Sequence, residues 1–197
     1  NTRRVIAGES IAPYETRRVT KDGRVVDVLT TVSPIKNATG KITGAAVILH
    51  DITALKRAEG ALTEREAWFA ASFEQAAVGV ALRDIDPAKP RWLRVNRKLC
   101  EILGYTREEM LQLTSVDHTP PEDRDEAIAY NERLLRGELT SYTREKRYLR
   151  KDGGIIWVNL SVSVVCGTDV RPTHIISVIE DITGRKQAED QRAHLAA

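Results

Sequence analysis

The chain has 197 residues, of which 42% are hydrophobic and 29% are charged, so it can form one large globular domain or two small ones. Its net charge of +2, with basic and acidic residues interspersed, gives no indication of a nucleic-acid partner. No apolar run reaches the roughly 18 residues of a membrane span, and the first residues lack the apolar core of a signal peptide. Cys100 and Cys166 have no metal-ligand spacing, and we expect a cytoplasmic protein.

The first part of the chain predicts a meander of three antiparallel strands. Residues 14–20 form the first strand, and Lys21-Asp22-Gly23 forms a tight turn, because Asp-Gly tolerates the positive φ of a hairpin. Apolar residues then alternate along residues 25–34, as in a strand with one buried face. After a polar loop, residues 42–50 complete the meander.

A helix is predicted directly after the third strand. Asp51 and Thr53 suit a helix start, because their side-chain oxygens accept hydrogen bonds from free backbone N–H groups. Residues 54–75 have the composition of a helix, and apolar residues recur every seven positions, the spacing of a coiled-coil seam. An ordinary amphipathic helix fits the same pattern. The candidate linker interface consists of Leu55, Leu62 and Phe69.

The remaining sequence predicts a complete α+β domain. Its five predicted strands are residues 78–84, 92–95, 142–150, 155–165 and 173–180. Between the second and third strands, Asn96 caps a short helix, and further helices start near Thr106 and Pro121. One antiparallel sheet with short helices on one face accounts for this order. Asp181 and Thr183 then start an exit helix.

The chain repeats itself at an interval of 130 residues. Lys21-Asp22-Gly23 recurs at 151–153, and Asp51-Ile52-Thr53 recurs at 181–183. A repeat of this length matches a domain plus a linker, and the first copy lacks an equivalent of residues 68–130. The expected organisation is half a domain at 1–53, a helical linker at 54–75, a complete domain at 76–183 and an exit helix at 184–197.

Four segments, taken in order, resemble motifs of the PAS family. They read Asn96-Arg-Lys-Leu-Cys-Glu-Ile-Leu-Gly-Tyr105, Pro121-Glu-Asp-Arg124, Arg150-Lys-Asp-Gly153 with Trp157-Val158, and Glu180-Asp-Ile-Thr183. The first copy carries the last two motifs. The resemblance implies the α+β PAS fold, an antiparallel five-stranded sheet with short helices on one face, joined by helical linkers and preceded by a half copy.

The resemblance also implies a tandem sensor region of a bacterial signalling protein, of the sensor histidine kinase type. PAS domains bind small ligands or partner domains, dimerise, and signal through flanking helices to an output domain. We expect a homodimer through the linker helices and a histidine kinase output acting in a phosphorelay. A diguanylate cyclase output and a ligand-free interaction module are the alternatives. The fragment carries no catalytic motif, so we expect no enzyme activity of its own.

A ligand pocket is expected between the sheet and the helices. The residues expected to face it are Val80, Leu82, Cys100, Met110, Ile128, Tyr148, Val158, Leu160 and Val162. A filled hydrophobic core explains the same apolar stripes, and both interpretations stay open at this point.

The sequence restricts the cofactors that such a pocket could hold. The Asn-Cys-Arg-Phe-Leu-Gln segment of light-sensing relatives is absent, and Cys100 lies on an earlier helix, so a covalent flavin adduct is not expected. Haem is disfavoured, because residues 122–136 contain no histidine and His118 is expected in a surface loop. Non-covalent FAD or a small metabolite stays open. No metal site is predicted.

Signal transmission is expected at the two strand-to-helix junctions. The residues expected to hold each helix to the end of its sheet are Asp51, Thr53, Asp181 and Thr183. A change in the sheet would then tilt or rotate the helix that follows it.

Overall fold

A computed structural model describes residues 4, 5, 7, 9, 11–85, 91–167 and 172–195. Its strands are β1 (Ile11–Val19), β2 (Val25–Lys36), β3 (Ile42–Asp51), β4 (Gly79–Asp84), β5 (Trp92–Val95), β6 (Ser141–Leu149), β7 (Ile155–Cys166) and β8 (Pro172–Asp181). Its helices are α1 (Thr53–Gln75), α2 (Arg97–Leu103), α3 (Arg107–Met110), α4 (Arg124–Leu135) and α5 (Thr183–Leu195), with a 3-10 turn at Pro121–Asp123. The chain divides into two compact units, 1–68 and 69–197.

The first unit is an antiparallel meander in the order β1-β2-β3. Gly23, with φ of 84°, makes the hairpin between the first two strands, because a side chain there would be strained. One face of the sheet forms a groove of about 730 Å³. Apolar residues of β3 such as Val47 and Leu49 are more than half exposed on this sheet. The inner face of the meander is therefore largely open among the described residues.

The second unit contains a five-stranded antiparallel sheet in the order β5-β4-β8-β7-β6. Helices α2, α3 and α4 cover one face, and the core lies between them and the sheet. Its most deeply buried apolar side chains include Leu99, Leu103, Met110, Val158, Ile175 and Ile179. The predicted fold, an antiparallel five-stranded sheet with helices, is confirmed.

The sequence repeat is also a structural repeat. The boundaries of β1, β2 and β3 recur 130 residues later as those of β6, β7 and β8, and the start of α1 recurs as the start of α5. Residues 130 apart can therefore be compared directly in the two units.

Asn96 joins α2 to the sheet. Its side-chain oxygen accepts hydrogen bonds from the backbone nitrogens of Leu99, at 3.0 Å, and Val80, at 2.9 Å. Its amide nitrogen donates to the backbone oxygens of Phe73, at 3.0 Å, and Val78, at 2.9 Å. Because Asn96 is fully buried, these contacts satisfy all the hydrogen-bonding capacity that its side chain usually needs.

The face of β4 is opposite to the one expected. Gly79 and Ala81 are buried towards α2, while Val80 and Leu82 are only half-buried. A Cβ atom on Gly79 would lie 3.2 Å from the Cα of Leu99, so α2 packs directly onto the strand. The small residues therefore face the helices, because a larger side chain would push α2 away.

Two further positions differ from expectation. Ile128 is 40% exposed, because α4 turns Ala127 and Leu134 towards the sheet instead. His118 is 1% exposed and is therefore a core residue rather than part of a surface loop. The predicted turn at 86–90 lies outside the described residues.

Candidate functional site

The second unit contains a small cavity between its sheet and α4. Its volume is about 20 Å³, which is room for a single water molecule. Its lining residues are Arg83, Trp92, Ser115, Ala127, Asn131, Tyr142, Arg144, Lys146, Tyr148, Leu160, Val162 and Ser177. A flavin could enter this space only after a rearrangement of the helices, since preformed ligand pockets have roughly 300–1,000 Å³.

Strand β6 supplies four of the lining side chains. Because successive side chains alternate between the two faces of a strand, Tyr142, Arg144, Lys146 and Tyr148 lie on the same face. In the sheet register, Tyr142 pairs with Val162, and Arg144 pairs with Leu160. Two cations thus stand on the inner face of the sheet beside apolar residues of β7.

Arg83 and Lys146 are the two most deeply buried cations of the cavity, at 4% and 6% exposure. The Arg83 guanidinium donates to Asn131 Oδ1 at 2.9 Å, and the Lys146 ammonium donates to Thr119 Oγ1 at 2.9 Å. Burial lowers the pKa of Arg83, and it lowers the pKa of Lys146 to about 8. Both groups are thus strongly desolvated.

Aromatic rings and one exposed carboxylate surround the cations. The Lys146 ammonium lies 5.0 Å from the centre of the Tyr148 ring, and the Arg144 guanidinium lies 4.6 Å from that of Tyr130. Arg144 Nη1 is also 2.8 Å from Glu126 Oε1 on α4. The outer edge of the cavity is therefore neutralised by Glu126, a residue that is itself largely exposed.

Only three of the nine residues expected to face a pocket line this cavity: Tyr148, Leu160 and Val162. Val158 and Met110 are buried in the surrounding core. The remaining four do not line it: Val80, Leu82 and Cys100 are half-buried, and Ile128 is exposed. The described residues contain no cluster of three or more metal-ligating side chains.

Sequence reasoning missed the cavity cations. Arg83 and Lys146 were not identified, because a charged residue in a strand is usually assigned to the solvent face. A signal existed in β6, where Tyr142 and Tyr148 alternate in step with Arg144 and Lys146. The two tyrosines mark that face as the inner one, and the cations between them share it.

His118 lies next to the cavity but does not line it. Its ring makes edge contacts with Tyr105, at 5.4 Å between centroids, and Tyr148, at 6.4 Å. Neither ring nitrogen has a hydrogen-bond partner among the described residues. Burial lowers the pKa of His118 to about 4, so the ring is neutral at physiological pH.

The junction after β8 holds α5 to the middle strand of the meander. Asp181 Oδ1 accepts hydrogen bonds from the backbone nitrogen of Thr183, at 2.9 Å, and from its hydroxyl, at 2.6 Å. The Thr183 hydroxyl oxygen in turn accepts from the backbone N–H of Trp157 at 3.1 Å. The backbone nitrogen of Ile182 donates to the Trp157 carbonyl at 2.9 Å. The helix start is thereby bonded to β7.

The junction after β3 repeats this arrangement. Asp51 Oδ1 accepts from the backbone nitrogen of Thr53 at 2.9 Å, and Thr53 Oγ1 accepts from the backbone N–H of Asp27 at 2.9 Å. The backbone nitrogen of Ile52 donates to the Asp27 carbonyl at 2.9 Å. Hydrogen bonds from the Thr53 side chain and backbone hold the pKa of Asp51 below its ordinary value. Each predicted junction residue thus has a counterpart in the other unit.

An ion pair from the first strand of each meander extends both junctions. Glu145 on β6 lies 2.7 Å from the Lys186 ammonium on α5, and Glu15 on β1 lies 2.6 Å from that of Lys56 on α1. Lys186 lowers the pKa of Glu145, and Glu15 raises the pKa of Lys56. Neither pair was predicted, although the sequence repeat contains both residues of it.

The predicted linker residues are exposed along α1. Leu55, Leu62 and Phe69 are each more than half exposed, as is Trp68 beside them. Phe73, one turn further on, is buried. Apolar residues that stay exposed on a helix commonly mark a surface that contacts a partner. No helix in the described part of the chain is long and apolar enough to cross a membrane.

Comparison with known proteins identifies the family. Residues 93–179 match the family model described as PAS fold, and residues 2–54 match the model described as PAS domain. The chain is 37% identical over 134 residues to "Probable diguanylate cyclase DgcE" of Escherichia coli, which covers 68% of the chain and 12% of that protein. It is 36% identical over 136 residues to the sensor histidine kinase TmoS of Ectopseudomonas mendocina, covering 69% and 14%.

Solved structures agree with these matches. A crystal structure of a PAS domain from Colwellia psychrerythraea has a TM-score of 0.54 at 19% identity, covering 60% of this chain and 97% of that one. The chain spans less than a quarter of the length of these curated relatives. Its two matched segments and its five-stranded sheet place it in the PAS family, as a PAS sensor region of a bacterial signalling protein.

Proposed function

We propose that this PAS region relays the state of each sheet to the helix that follows it, through the hydrogen bonds of the two junctions. The observation that supports this mechanism is the repetition of the same contacts 130 residues apart. In both units a threonine hydroxyl bridges an aspartate at the sheet end to the backbone of the middle strand. A change in strand twist would therefore reach the helix start without an intervening loop.

Thr183→Val in the full-length protein tests the mechanism. Valine has nearly the shape of threonine, but it cannot accept the hydrogen bond from Trp157 or donate one to Asp181. We expect the output activity to stop responding to its stimulus, while circular dichroism and the melting temperature of the sensor region change little. Asp181→Ala should act in the same direction.

Thr143→Val is the matched control. The Thr143 hydroxyl lies 2.9 Å from that of Ser161 and takes no part in a junction. This variant should signal normally. If Thr183→Val and Asp181→Ala also signal normally, the junctions do not carry the signal and the proposed mechanism is wrong.

We further propose a histidine kinase as the output domain, as in TmoS. The similarity to a protein named as a diguanylate cyclase supports a second candidate of comparable strength. The test is to assay the full-length protein both for autophosphorylation from ATP and for cyclic-dinucleotide synthesis from GTP. Phosphate transfer to a histidine supports the first candidate, and product formation from GTP supports the second.

The exposed apolar residues of α1 support the proposal of a homodimer. Leu62 is 60% exposed, and Leu55 and Phe69 lie seven residues to either side. A second copy of the chain would cover these residues in a coiled-coil contact. We expect Leu62→Asp to shift the mass measured by sedimentation equilibrium from dimer to monomer. Glu66→Asp, at another exposed position of α1, should leave it unchanged. A monomer before any substitution would contradict the proposal.

A further inference from the structure

The cavity under α4 holds more buried positive charge than its lining neutralises. Arg83 and Lys146 are both more than nine-tenths buried, and the residues that line the cavity include no aspartate or glutamate. The hydrogen-bond acceptors described for the two groups, Asn131 and Thr119, are neutral. Because a cation removed from water is stable only with a compensating charge or several acceptors, this arrangement favours an anionic occupant.

Trp92 supplies an independent observation. Its indole Nε1–H group is buried, lines the same cavity and has no acceptor among the described residues. An indole nitrogen can only donate a hydrogen bond, and buried donors are normally satisfied. The cavity therefore presents an unused neutral donor together with two cations, and an acceptor-only group such as a carboxylate would satisfy all three.

Arg144 indicates that a carboxylate can approach this place. Its guanidinium contacts the Glu126 carboxylate at 2.8 Å, at the outer edge of the cavity. Glu126 is exposed on α4, so water can replace its carboxylate if a competing anion enters. Leu160, Val162 and Ala127 line the remainder of the cavity. These apolar side chains suit a short hydrocarbon chain, which a carboxylic acid has and inorganic phosphate lacks.

We propose that this cavity binds a small aliphatic monocarboxylate, whose carboxylate accepts hydrogen bonds from Arg83, Lys146 and the Trp92 indole. The inference rests on the proposed sensor function and names the ligand class of that sensor. The hydrocarbon chain of the ligand packs on Leu160 and Val162, in the centre of the sheet.

Binding requires α4 to move outwards, because the cavity of about 20 Å³ holds only one water molecule. The helix is loosely held: of its 12 residues only Ala127 and Leu134 are buried. Its displacement therefore exposes little apolar surface and separates Glu126 from Arg144. Ligand entry thus changes the cover of the sheet directly.

Indole N–H resonances of the 197-residue chain test the proposal, because the chain has three tryptophans. Trp92 lines the cavity, whereas Trp68 and Trp157 lie outside it and serve as internal references. Trp92→Phe identifies the Trp92 resonance. Sodium propionate at constant ionic strength should shift the Trp92 resonance in a saturable manner and leave the other two in place. Propionamide, which has the same shape without the charge, should not shift it.

Two variants test the role of the cations. We expect Arg83→Met and Lys146→Met each to weaken propionate binding about tenfold or more, because each removes a charged donor. Lys98→Met, at a half-exposed position of α2 that does not line the cavity, should bind normally. Dispersed amide spectra establish that each variant is folded.

Three outcomes overturn the inference: no shift of Trp92 with propionate, an equal shift with propionamide, or a shift with inorganic phosphate alone. The first two leave no anion site, and the third replaces the carboxylate by another anion. Because the wild-type comparison of propionate with propionamide needs no substitution, a variant that fails to fold leaves the test intact. Failure here does not affect the Thr183→Val result, which reports on the junction alone.

Discussion

The two sheets of this chain share their strand boundaries but differ in what covers them. In the first unit the inner face, which carries Val32 and Val47, borders an open groove of about 730 Å³. In the second unit the corresponding residues, Val162 and Ser177, line a cavity of about 20 Å³ under α4. The meander therefore keeps its geometry with or without a cover, and the segment between β5 and β6 turns its inner face into a core.

The inner faces also differ in charge. Arg144 and Lys146 of β6 correspond to Tyr14 and Thr16 of β1. The meander forms with either pair, so its strand pairing does not require the buried cations. Since buried charges rarely add stability to a fold, their presence in the covered unit alone points to a role in binding.

The largest expected effect comes from one matched pair of substitutions. Ile179 is 1% exposed, and its counterpart Leu49 is 51% exposed. Ile179→Ala should lower the free energy of unfolding by about 2–5 kcal/mol, because it leaves a cavity in the core. Leu49→Ala should change it by less than about 0.5 kcal/mol. Urea denaturation followed by fluorescence and circular dichroism measures both, and equal losses would mean that the first sheet is covered as well.

Acid should weaken the covered unit through His118. Its pKa is lowered from 6.5 to about 4 in the folded state, so the unfolded state binds protons more tightly. The second unit should therefore lose about 3 kcal/mol as the pH falls from 6.5 through 4, and keep this stability at neutral pH.

His118→Phe keeps an aromatic ring between Tyr105 and Tyr148 but cannot take up a proton. Chemical denaturation at several pH values should give this variant a flatter acid profile. His50→Phe, at an exposed position of β3, should keep the original profile. An unchanged profile for His118→Phe would show that other groups determine the acid sensitivity.

Lys146 should give the smallest effect, and with the opposite sign. Because its pKa is lowered from 10.5 to about 8, its charged form destabilises the folded state at neutral pH. Lys146→Met should therefore raise the free energy of unfolding at pH 7 by about 1–3 kcal/mol. The difference between variant and wild type should shrink as the pH rises from 8 through 10.5.

The charged and titratable groups around Lys146 are Arg144 on its own strand, Asp123 and Glu126 before and within α4, and His118. Thr16→Met, at the corresponding position of the open sheet, is the control and should give no pH-dependent difference. A destabilised Lys146→Met variant at neutral pH would mean that the ammonium has a compensating partner and that the cavity needs no anion.

The sequence predicted the features that depend on local pattern. Turn residues such as Gly23, the cap at Asn96 and the repeated Asp-Ile-Thr motif each act within a few residues, and the structure contains them as expected. The repeat also predicted both junctions in sequence terms. Their hydrogen-bond partners, Asp27 and Trp157, lie on a different strand and could not be identified from the motif alone.

Features that depend on close packing could not be predicted. Alternation along β4 gives two faces but does not say which one meets α2, and the contact between Gly79 and Leu99 decides that. In α4 the periodic pattern is weak, so Ile128 looked as suitable for burial as Ala127. The burial of His118 follows from two tyrosines that are distant in sequence, Tyr105 and Tyr148.

Strand β7 has a mechanical consequence that follows from its pleat. Val158 is fully buried, and the residue before it, Trp157, holds the start of α5 through its backbone N–H and C=O groups. The same neighbours occur in the first unit as Val28 and Asp27. Since adjacent residues of a strand share a rigid peptide plane, the core and the helix anchor are linked by a lever one residue long.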